Sequence, residues 1–129
     1  MNRIDLSKNV VYLAAPKRLF YTPLFDRAYR YLTKKAIGVL DPRGMYKSNQ
    51  EWLATFEQKL SICDVMVVVS DNEIVGKGVY LEYNYFDDRY CKVYHYVETG
   101  GSVYLIPIKR MMVIDNDDWR DYATFEYQR

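Results

Sequence analysis

The strongest feature of the hydrophobic pattern is an unbroken apolar run at residues 65–69, bounded by polar residues on both sides. A run without a polar face is typical of a strand buried on both sides in a parallel sheet. Residues 9–16 form a similar run that stops at a proline, and residues 36–40 form a shorter one before a turn that contains proline and glycine. The pattern therefore predicts three buried strands, with residues 65–69 at the centre.

Two stretches carry apolar residues at helical spacing behind recognisable start signals. Thr22 and Pro23 favour a helix start, and the helical pattern continues to about Lys35. Ser48 and Glu51 have the spacing of a capping box, which predicts a second helix. The apolar stripe of this second helix consists of Trp52, Phe56, Leu60 and Cys63. Such a stripe is more often core than a cofactor site, so we expect it to pack on the sheet.

A turn with two glycines follows the central strand, and residues 79–88 after it predict a short helix. Glu82 falls near the first turn of that predicted helix. The helix dipole stabilises a charged carboxylate there by roughly 0.3 to 1 kcal/mol, which makes Glu82 a candidate nucleophile or ligand contact. The same dipole also explains a glutamate at this position without any functional role.

The C-terminal part of the chain predicts further strands. Residues 90–97 alternate, residues 99–102 signal a turn, and residues 103–108 form another apolar run. The short connection favours an antiparallel hairpin, although two edge strands of a parallel sheet are the alternative. Pro107 belongs on an edge.

Three smaller features complete the chain. His95, the only histidine, has no partner cluster in the sequence, which favours a structural role. Residues 111–114 predict a last short strand. Residues 115–118 predict an acidic helix start rather than a calcium loop, and the polar and aromatic tail after them either frays or docks on a neighbour.

These elements predict a single domain over residues 1–129 with a Rossmann-like or flavodoxin-like α/β fold. We expect an open, mostly parallel sheet in three layers, with an antiparallel hairpin at its C-terminal edge. In such sheets the ligand lies beyond the carboxyl ends of the strands.

Composition narrows the class of partner. The 18 basic and 17 acidic residues nearly cancel, so no broad field favours a nucleic acid polymer or an anionic membrane surface. Two cysteines favour reduced thiols, although one bridge is the alternative. No apolar stretch has the length of a signal peptide core or a membrane span, so we expect a cytoplasmic protein that binds a small molecule.

Several polar and small residues fall where the predicted strands end. Small side chains there leave space, glycines allow close approach of the backbone, and cations suit a phosphate or carboxylate. The candidate substrate-binding residues are Ala14, Ala15, Pro16, Lys17, Arg18, Asp41, Arg43, Gly76, Lys77 and Gly78. Solvated loop cations are the alternative explanation for the basic members.

Three segments together resemble the nucleoside 2-deoxyribosyltransferase family and its N-glycoside hydrolase relatives. They are Tyr-Leu-Ala-Ala-Pro at residues 12–16, Cys-Asp at residues 63–64, and Gly-Val-Tyr-Leu-Glu-Tyr at residues 78–83. The resemblance covers about residues 10–97. It implies that Glu82 is the nucleophile, that Gly78 is the glycine ahead of it, and that Asp71 is a carboxylate near the base.

The resemblance also implies a mechanism without a metal or organic cofactor. Glu82 would take the sugar before a second base or water accepts it, and Tyr12 would orient Glu82 through its hydroxyl. We expect the helix start to keep Glu82 charged, and Asp71 or Asp41 to hold the proton for the leaving base. Relatives borrow a residue from a neighbouring subunit, which predicts a homo-oligomer with Tyr122 or Tyr127 as contributors.

Two departures from the family pattern bear on the substrate. Gly76 and Lys77 replace a second carboxylate, and Ala15 replaces a glycine. Lys77 favours a nucleoside monophosphate over a nucleoside. The sequence thus predicts an N-glycosidic bond-cleaving transferase or hydrolase. The alternatives are a catalytically inactive nucleotide-binding protein of the same fold, and a tyrosine-rich interaction protein.

Overall fold

The computed structural model describes residues 4–114 and 119–128 as an α/β fold with one seven-stranded sheet. The strands are β1 (Val10–Ala14), β2 (Gly38–Leu40), β3 (Val65–Val69), β4 (Ile74–Val75), β5 (Lys92–Thr99), β6 (Ser102–Val113) and β7 (Ala123–Tyr127). The helices are α1 (Pro23–Lys35), α2 (Asn49–Leu60) and α3 (Lys77–Asp88), and a 3₁₀ turn at Lys17–Leu19 follows β1.

The sheet is mixed, with the strand order β2-β1-β3-β5-β6-β7-β4. The first four strands in that order pair in parallel, whereas β5 with β6, β6 with β7 and β7 with β4 pair antiparallel. The predicted hairpin is therefore confirmed. The expectation of a mostly parallel sheet is not confirmed, because the chain turns back at Gly100 and Gly101 and then continues to add antiparallel strands.

The central position of residues 65–69 is confirmed. The whole of β3 is buried, and it lies between β1 and β5, with Leu13 beside Val67 and Val67 beside Tyr94. Each fully buried valine side chain stabilises the fold by roughly 1.5 to 3 kcal/mol relative to an exposed one. The strand therefore has helices or loops to pack against on both faces of the sheet.

The helices cover opposite faces of the parallel strands. Phe25 and Leu32 of α1 join one buried cluster, which includes Leu13 and Val67. The other cluster contains side chains from α2 and α3. Its helical members are Phe56, Leu60, Val79, Tyr83 and Phe86. The apolar stripe predicted for the second helix is thus confirmed as core.

Helix starts agree with their sequence signals in α1 and α2. Thr22 Oγ1 accepts a hydrogen bond from the Phe25 amide, and the helix ends at Lys35 as predicted. Ser48 Oγ accepts from the Glu51 amide at 3.0 Å. The Glu51 carboxylate reaches back to the Lys47 amide at 2.6 Å, one residue earlier than in a standard capping box.

The third helix begins two residues earlier than predicted. Gly76 is its N-cap, and Lys77 is its first residue. Glu82 is consequently the sixth residue and lies in the second turn, where the dipole of the helix end has little effect.

The C-terminal part of the sheet differs most from expectation. Residues 111–113 continue β6 rather than forming a separate strand, and the tail supplies β7, which pairs with β6 and β4. Pro107 is opposite Tyr94 of β5, close to the register shift where β6 leaves β5 and meets β7, so it is not on a sheet edge. The predicted acidic helix start at residues 115–118 lies outside the described residues.

Two tyrosines predicted to serve a neighbouring subunit make contacts within their own chain. Tyr127 Oη lies 2.8 Å from His95 Nδ1 and donates to Glu73 at 2.7 Å. Tyr122 lies against Tyr80, with 5.4 Å between the ring centroids. His95 itself is buried, as a structural histidine would be.

Among the described residues, none of the helices is both long and apolar enough to span a membrane.

Candidate functional site

A buried carboxylate lies between the sheet and the two helices α2 and α3. The carboxylate is that of Glu82, a residue that is 5% exposed. Its Oε2 atom accepts hydrogen bonds from Tyr12 Oη at 2.7 Å and from Trp52 Nε1 at 3.0 Å. The contact between Tyr12 and Glu82 is therefore the one expected from the sequence.

Each of the three side chains is fixed by a different element. Tyr12 is the middle residue of β1, and its ring is stacked on Phe86 of α3 at 6.1 Å. Trp52 is the fourth residue of α2 and is stacked on Phe56 at 4.9 Å. Because aromatic rings packed in this way lose little further freedom, both donors are preorganised toward one carboxylate oxygen.

The second carboxylate oxygen of Glu82, Oε1, differs from Oε2 in its hydrogen bonding. Within residues 4–114 and 119–128, Oε1 of Glu82 accepts no hydrogen bond. Oε1 is also not fully buried. In these ranges, Tyr46 Oη is the one fully buried side-chain nitrogen or oxygen that lacks a hydrogen bond. The site therefore holds Glu82 by Oε2 and leaves Oε1 free for another group.

Burial raises the pKa of Glu82 to about 7, and the hydrogen bonds from Tyr12 and Trp52 lower it in part. The expectation that the helix start keeps Glu82 charged is wrong, because the two side-chain donors, rather than the dipole, oppose desolvation. Burial and the adjacent Glu82 raise the pKa of Tyr12 well above its usual value, so its hydroxyl remains a donor at neutral pH.

Asp71 does not join this site in the way the sequence suggested. It is an exposed residue whose two carboxylate oxygens accept from Arg18 at 2.8 and 2.9 Å. The hydrogen bonds from Arg18 lower the pKa of Asp71, so the carboxylate is ionised at neutral pH. This pairing argues against Asp71 as the group that holds a proton for the leaving base.

The other strand-end charges are also paired within the chain. Asp41 accepts from the backbone and guanidinium of Arg43, with one contact at 2.8 Å. The Arg43 guanidinium in turn lies 4.9 Å from the ring centre of Phe25. Lys17 Nζ donates to the Asn49 side chain at 2.9 Å. A ligand would have to replace these internal partners.

At the end of β1, small residues occur as predicted. Ala14 and Ala15 are buried, and Pro16 is half-buried before the 3₁₀ turn. These residues shape the edge of the sheet without contributing a charged group.

The glycine turn before α3 is occupied by the chain itself. The Lys77 amide donates to the Trp119 carbonyl at 2.9 Å, and a side chain at Gly76 would lie 2.5 Å from that same oxygen. The Lys77 ammonium lies 4.4 Å from the Trp119 ring centre and 5.5 Å from that of Tyr122. Close approach at Gly76 therefore serves a backbone contact, whereas we had expected a ligand there.

Alanine at Gly76 is expected to lower the free energy of unfolding by roughly 1 to 3 kcal/mol, because its Cβ would collide with the Trp119 carbonyl. Gly78 provides the matched control, since a Cβ there meets Trp52 at an ordinary 3.9 Å. Gly78→Ala should be neutral or should stabilise α3 by less than about 1 kcal/mol. Urea unfolding of both variants checks this, and equal stability of the two would contradict the close contact.

Sequence reasoning missed two residues of the site. Trp52 was assigned to the apolar stripe of α2, although its indole N–H needs a partner when buried, and that need was the available signal. Tyr46 belongs to the loop between β2 and α2, where no periodicity or motif singles it out. Only the packing of the folded chain shows that Tyr46 joins the buried cluster around Tyr12.

Two surface depressions lie away from Glu82. One lies at the amino ends of β1, β3 and β5, where its lining includes Asn9, Asp64 and Lys92. The other lies between the outer faces of α2 and α3, where its lining includes Leu53, Glu57 and Asp88. Neither lining includes Glu82, which is 5% exposed.

The described ranges contain no group of three or more His, Cys, Asp or Glu side chains arranged to hold a metal ion. Cys63 and Cys91 are free, and burial raises the pKa of the Cys63 thiol to about 12, which makes it unreactive at neutral pH.

Comparisons with family models, curated proteins and solved structures find no match to this chain. Function is therefore inferred from the site itself.

Proposed function

We propose that this protein cleaves the N-glycosidic bond of a nucleoside, deoxynucleoside or nucleoside monophosphate, with Glu82 as the nucleophile. One observation carries the proposal: Oε2 is held by Tyr12 and Trp52, and Oε1 is left without a hydrogen bond. A nucleophilic carboxylate needs this division, with one oxygen fixed for orientation and the other available to the anomeric carbon.

In the proposed reaction, Oε1 of ionised Glu82 attacks the anomeric carbon. The bond between that carbon and the base nitrogen breaks, and the base leaves with the electron pair and takes a proton from solvent. Water or a second base then attacks the same carbon, the bond to Oε1 breaks with its electron pair returning to Glu82, and the attacking group loses its proton to solvent. Because the pKa of Glu82 is about 7, a substantial fraction of the protein has the required charge at neutral pH.

The arrangement of the parallel strands supports a nucleotide-type ligand. The order β2-β1-β3-β5 follows the 2-1-3-4 order of flavodoxin-like sheets, whose ligands bind beyond the carboxyl ends of β1 and β3. Tyr12 belongs to β1, and Glu82 lies in the helix that follows the β3 and β4 strands. We also propose that the protein works in the cytoplasm and self-associates.

A phosphate on the ligand is compatible with the paired cations near this edge. Arg18 and Asp71 are about half exposed, and ion pairs of this kind contribute only about 0 to 1 kcal/mol. A phosphate, with more charge than a carboxylate, can therefore replace Asp71 as the partner of Arg18. Lys17 and Lys77 are further candidates for the same contact.

Incubation with a panel of nucleosides, deoxynucleosides and their 5′-monophosphates, followed by chromatography, tests the proposal. We expect a free base from at least one class, and tighter binding of the monophosphate than of its nucleoside. Equal affinity for the monophosphate and its nucleoside would contradict the phosphate contact. Absence of a free base across the panel would contradict cleavage.

A second candidate function is a binding protein of the same fold without turnover. The observation that favours it is that Asp71, the acid expected to protonate the leaving base, is paired with Arg18 instead. Thermal stabilisation by a panel member without base release would support this candidate, because a ligand that binds only the folded state stabilises it.

A further inference from the structure

The hydroxyl of Tyr46 is buried without a partner. In the described part of the chain, Tyr46 Oη is the one fully buried side-chain oxygen or nitrogen that lacks a hydrogen bond. A buried hydroxyl with no partner is unfavourable, because the group has lost its hydrogen bonds to water and gained none. Such an atom in a folded protein requires an explanation.

The ring that carries this hydroxyl is firmly positioned. Tyr46 packs against the buried cluster that contains Tyr12 and Phe56. The Lys59 ammonium lies 4.5 Å from its ring centre and donates to the Met45 carbonyl at 3.0 Å. The ring is therefore held in place, and its rotation into solvent would break these contacts.

Tyr46 also packs against the same buried cluster as Tyr12 and Trp52, the two residues that donate to Glu82. Burial is the main reason that the pKa of Tyr46 is raised, and the negative charge of Glu82 is the next. The hydroxyl therefore keeps its proton at neutral pH. Tyr12 and Trp52 already occupy Oε2 of Glu82, and no hydrogen bond joins Tyr46 to either oxygen.

The site thus contains one unused donor, Tyr46 Oη, and one unused acceptor, Oε1 of Glu82. We propose that Tyr46 is a further ligand-binding residue of this site and that its hydroxyl donates a hydrogen bond to a sugar hydroxyl of the ligand. A sugar hydroxyl fits because it accepts from Tyr46 and still has a proton to donate to a carboxylate. The inference rests on the proposed function, since it assumes a sugar next to Glu82.

A permanently bound internal water is the competing explanation, and it predicts different effects of Tyr46→Phe. If the hydroxyl is unpaired until a ligand binds, its removal costs the free protein nothing and weakens ligand binding. If a resident water pairs with the hydroxyl, its removal destabilises the free protein and leaves ligand binding unchanged.

Tyr96→Phe is the matched control. Tyr96 is buried like the site residues, but its hydroxyl donates to Glu98 at 2.7 Å, and it belongs to the cluster on the opposite face of the sheet. This variant should lose stability, because it leaves a formed hydrogen bond unmade, and should bind ligand normally.

The experiment uses ribose 5-phosphate and 2-deoxyribose 5-phosphate, which contain the sugar common to the proposed substrates and no base. Titration calorimetry with the wild type, Tyr46→Phe and Tyr96→Phe is combined with urea unfolding of the free proteins. We expect Tyr46→Phe to match or exceed wild-type stability and to bind the sugar phosphates on the order of tenfold more weakly. Tyr96→Phe should show the opposite pair of results.

Loss of stability in Tyr46→Phe with unchanged sugar binding would overturn the inference, and so would absence of sugar phosphate binding to the wild type. The base-release assay separates this failure from failure of the proposed function. Base release with a KM that does not respond to Tyr46→Phe overturns the Tyr46 contact alone. Tyr46-dependent sugar binding without any base release supports the contact and overturns cleavage.

Discussion

Replacing Glu82 with glutamine is expected to lower kcat for base release on the order of 10³-fold or more. The amide cannot form the bond to the anomeric carbon, whereas its carbonyl oxygen can still accept from Tyr12 and Trp52, as Oε2 does now. The fold and ligand binding should therefore persist while turnover is lost. Initial rates of base release, measured with the best substrate of the panel, check this.

Glu51→Gln is the control for the loss of a carboxylate. Glu51 is at the start of α2, where it accepts from the Lys47 amide and has no contact with Glu82. We expect wild-type kcat for this variant. Wild-type base release by Glu82→Gln would exclude residue 82 from the chemistry.

The second large effect is on stability, and it depends on pH. Folding raises the pKa of Glu82 from 4.5 to about 7, so the folded state binds more protons than the unfolded state between these values. Stability must therefore fall as pH rises through this range. At about 1.36 kcal/mol for each pKa unit, the full penalty is about 3 kcal/mol above pH 7.

Glu82→Gln removes this penalty, because the amide has no charge to bury. We expect similar stability of wild type and variant near pH 4 and a variant that is more stable by about 3 kcal/mol at pH 8. Urea unfolding at pH values from 4 to 8 measures the difference. A difference that does not change with pH would contradict the raised pKa.

Glu51→Gln again provides a comparison, now with the opposite sign. Hydrogen bonding to the Lys47 amide lowers the pKa of Glu51. Its carboxylate therefore stabilises the fold above the ordinary pKa, and this contribution is lost as pH falls. The variant should be less stable than the wild type at neutral pH, and the difference should shrink in acid.

A glutamate that weakens the fold at neutral pH is more easily explained by function than by structure. Tyr12 and Trp52 reduce the penalty, but a glutamine would keep both hydrogen bonds without any buried charge. A destabilising group held in a preorganised setting is typical of active sites.

The parallel half of the fold could be predicted from the sequence for physical reasons. β3 is a continuous apolar run because both faces of that strand are covered, and its short length and β-branched valines favour a buried strand over a buried helix. Thr22 and Ser48 mark helix starts because their side chains replace missing hydrogen-bond partners of the backbone.

The antiparallel half was less predictable. β6 is twelve residues long, and it changes partner from β5 to β7 near Pro107. A local pattern does not reveal that one strand serves two neighbours in succession, and the proline suggested an edge. The pairing of β4 with β7 joins residues about fifty positions apart, which is beyond the reach of local periodicity.

The candidate site was predicted in part. The contact between Tyr12 and Glu82 followed from the resemblance, whereas the role of the helix dipole was wrong, because α3 begins at Lys77 and Glu82 is in its second turn. For Asp71, the strand end gives the position of the carboxylate but not its partner. Arg18, in the 3₁₀ turn after β1, reaches that carboxylate first.

A covalent bond between Glu82 and the sugar can be detected by mass spectrometry of the protein quenched in acid during turnover. We expect a peptide that contains residue 82 and is heavier by the mass of the bound sugar, and we expect this adduct to be absent from Glu82→Gln. Base release by the wild type with no sugar attached to Glu82, or with the sugar attached to another residue, would contradict Glu82 as the nucleophile.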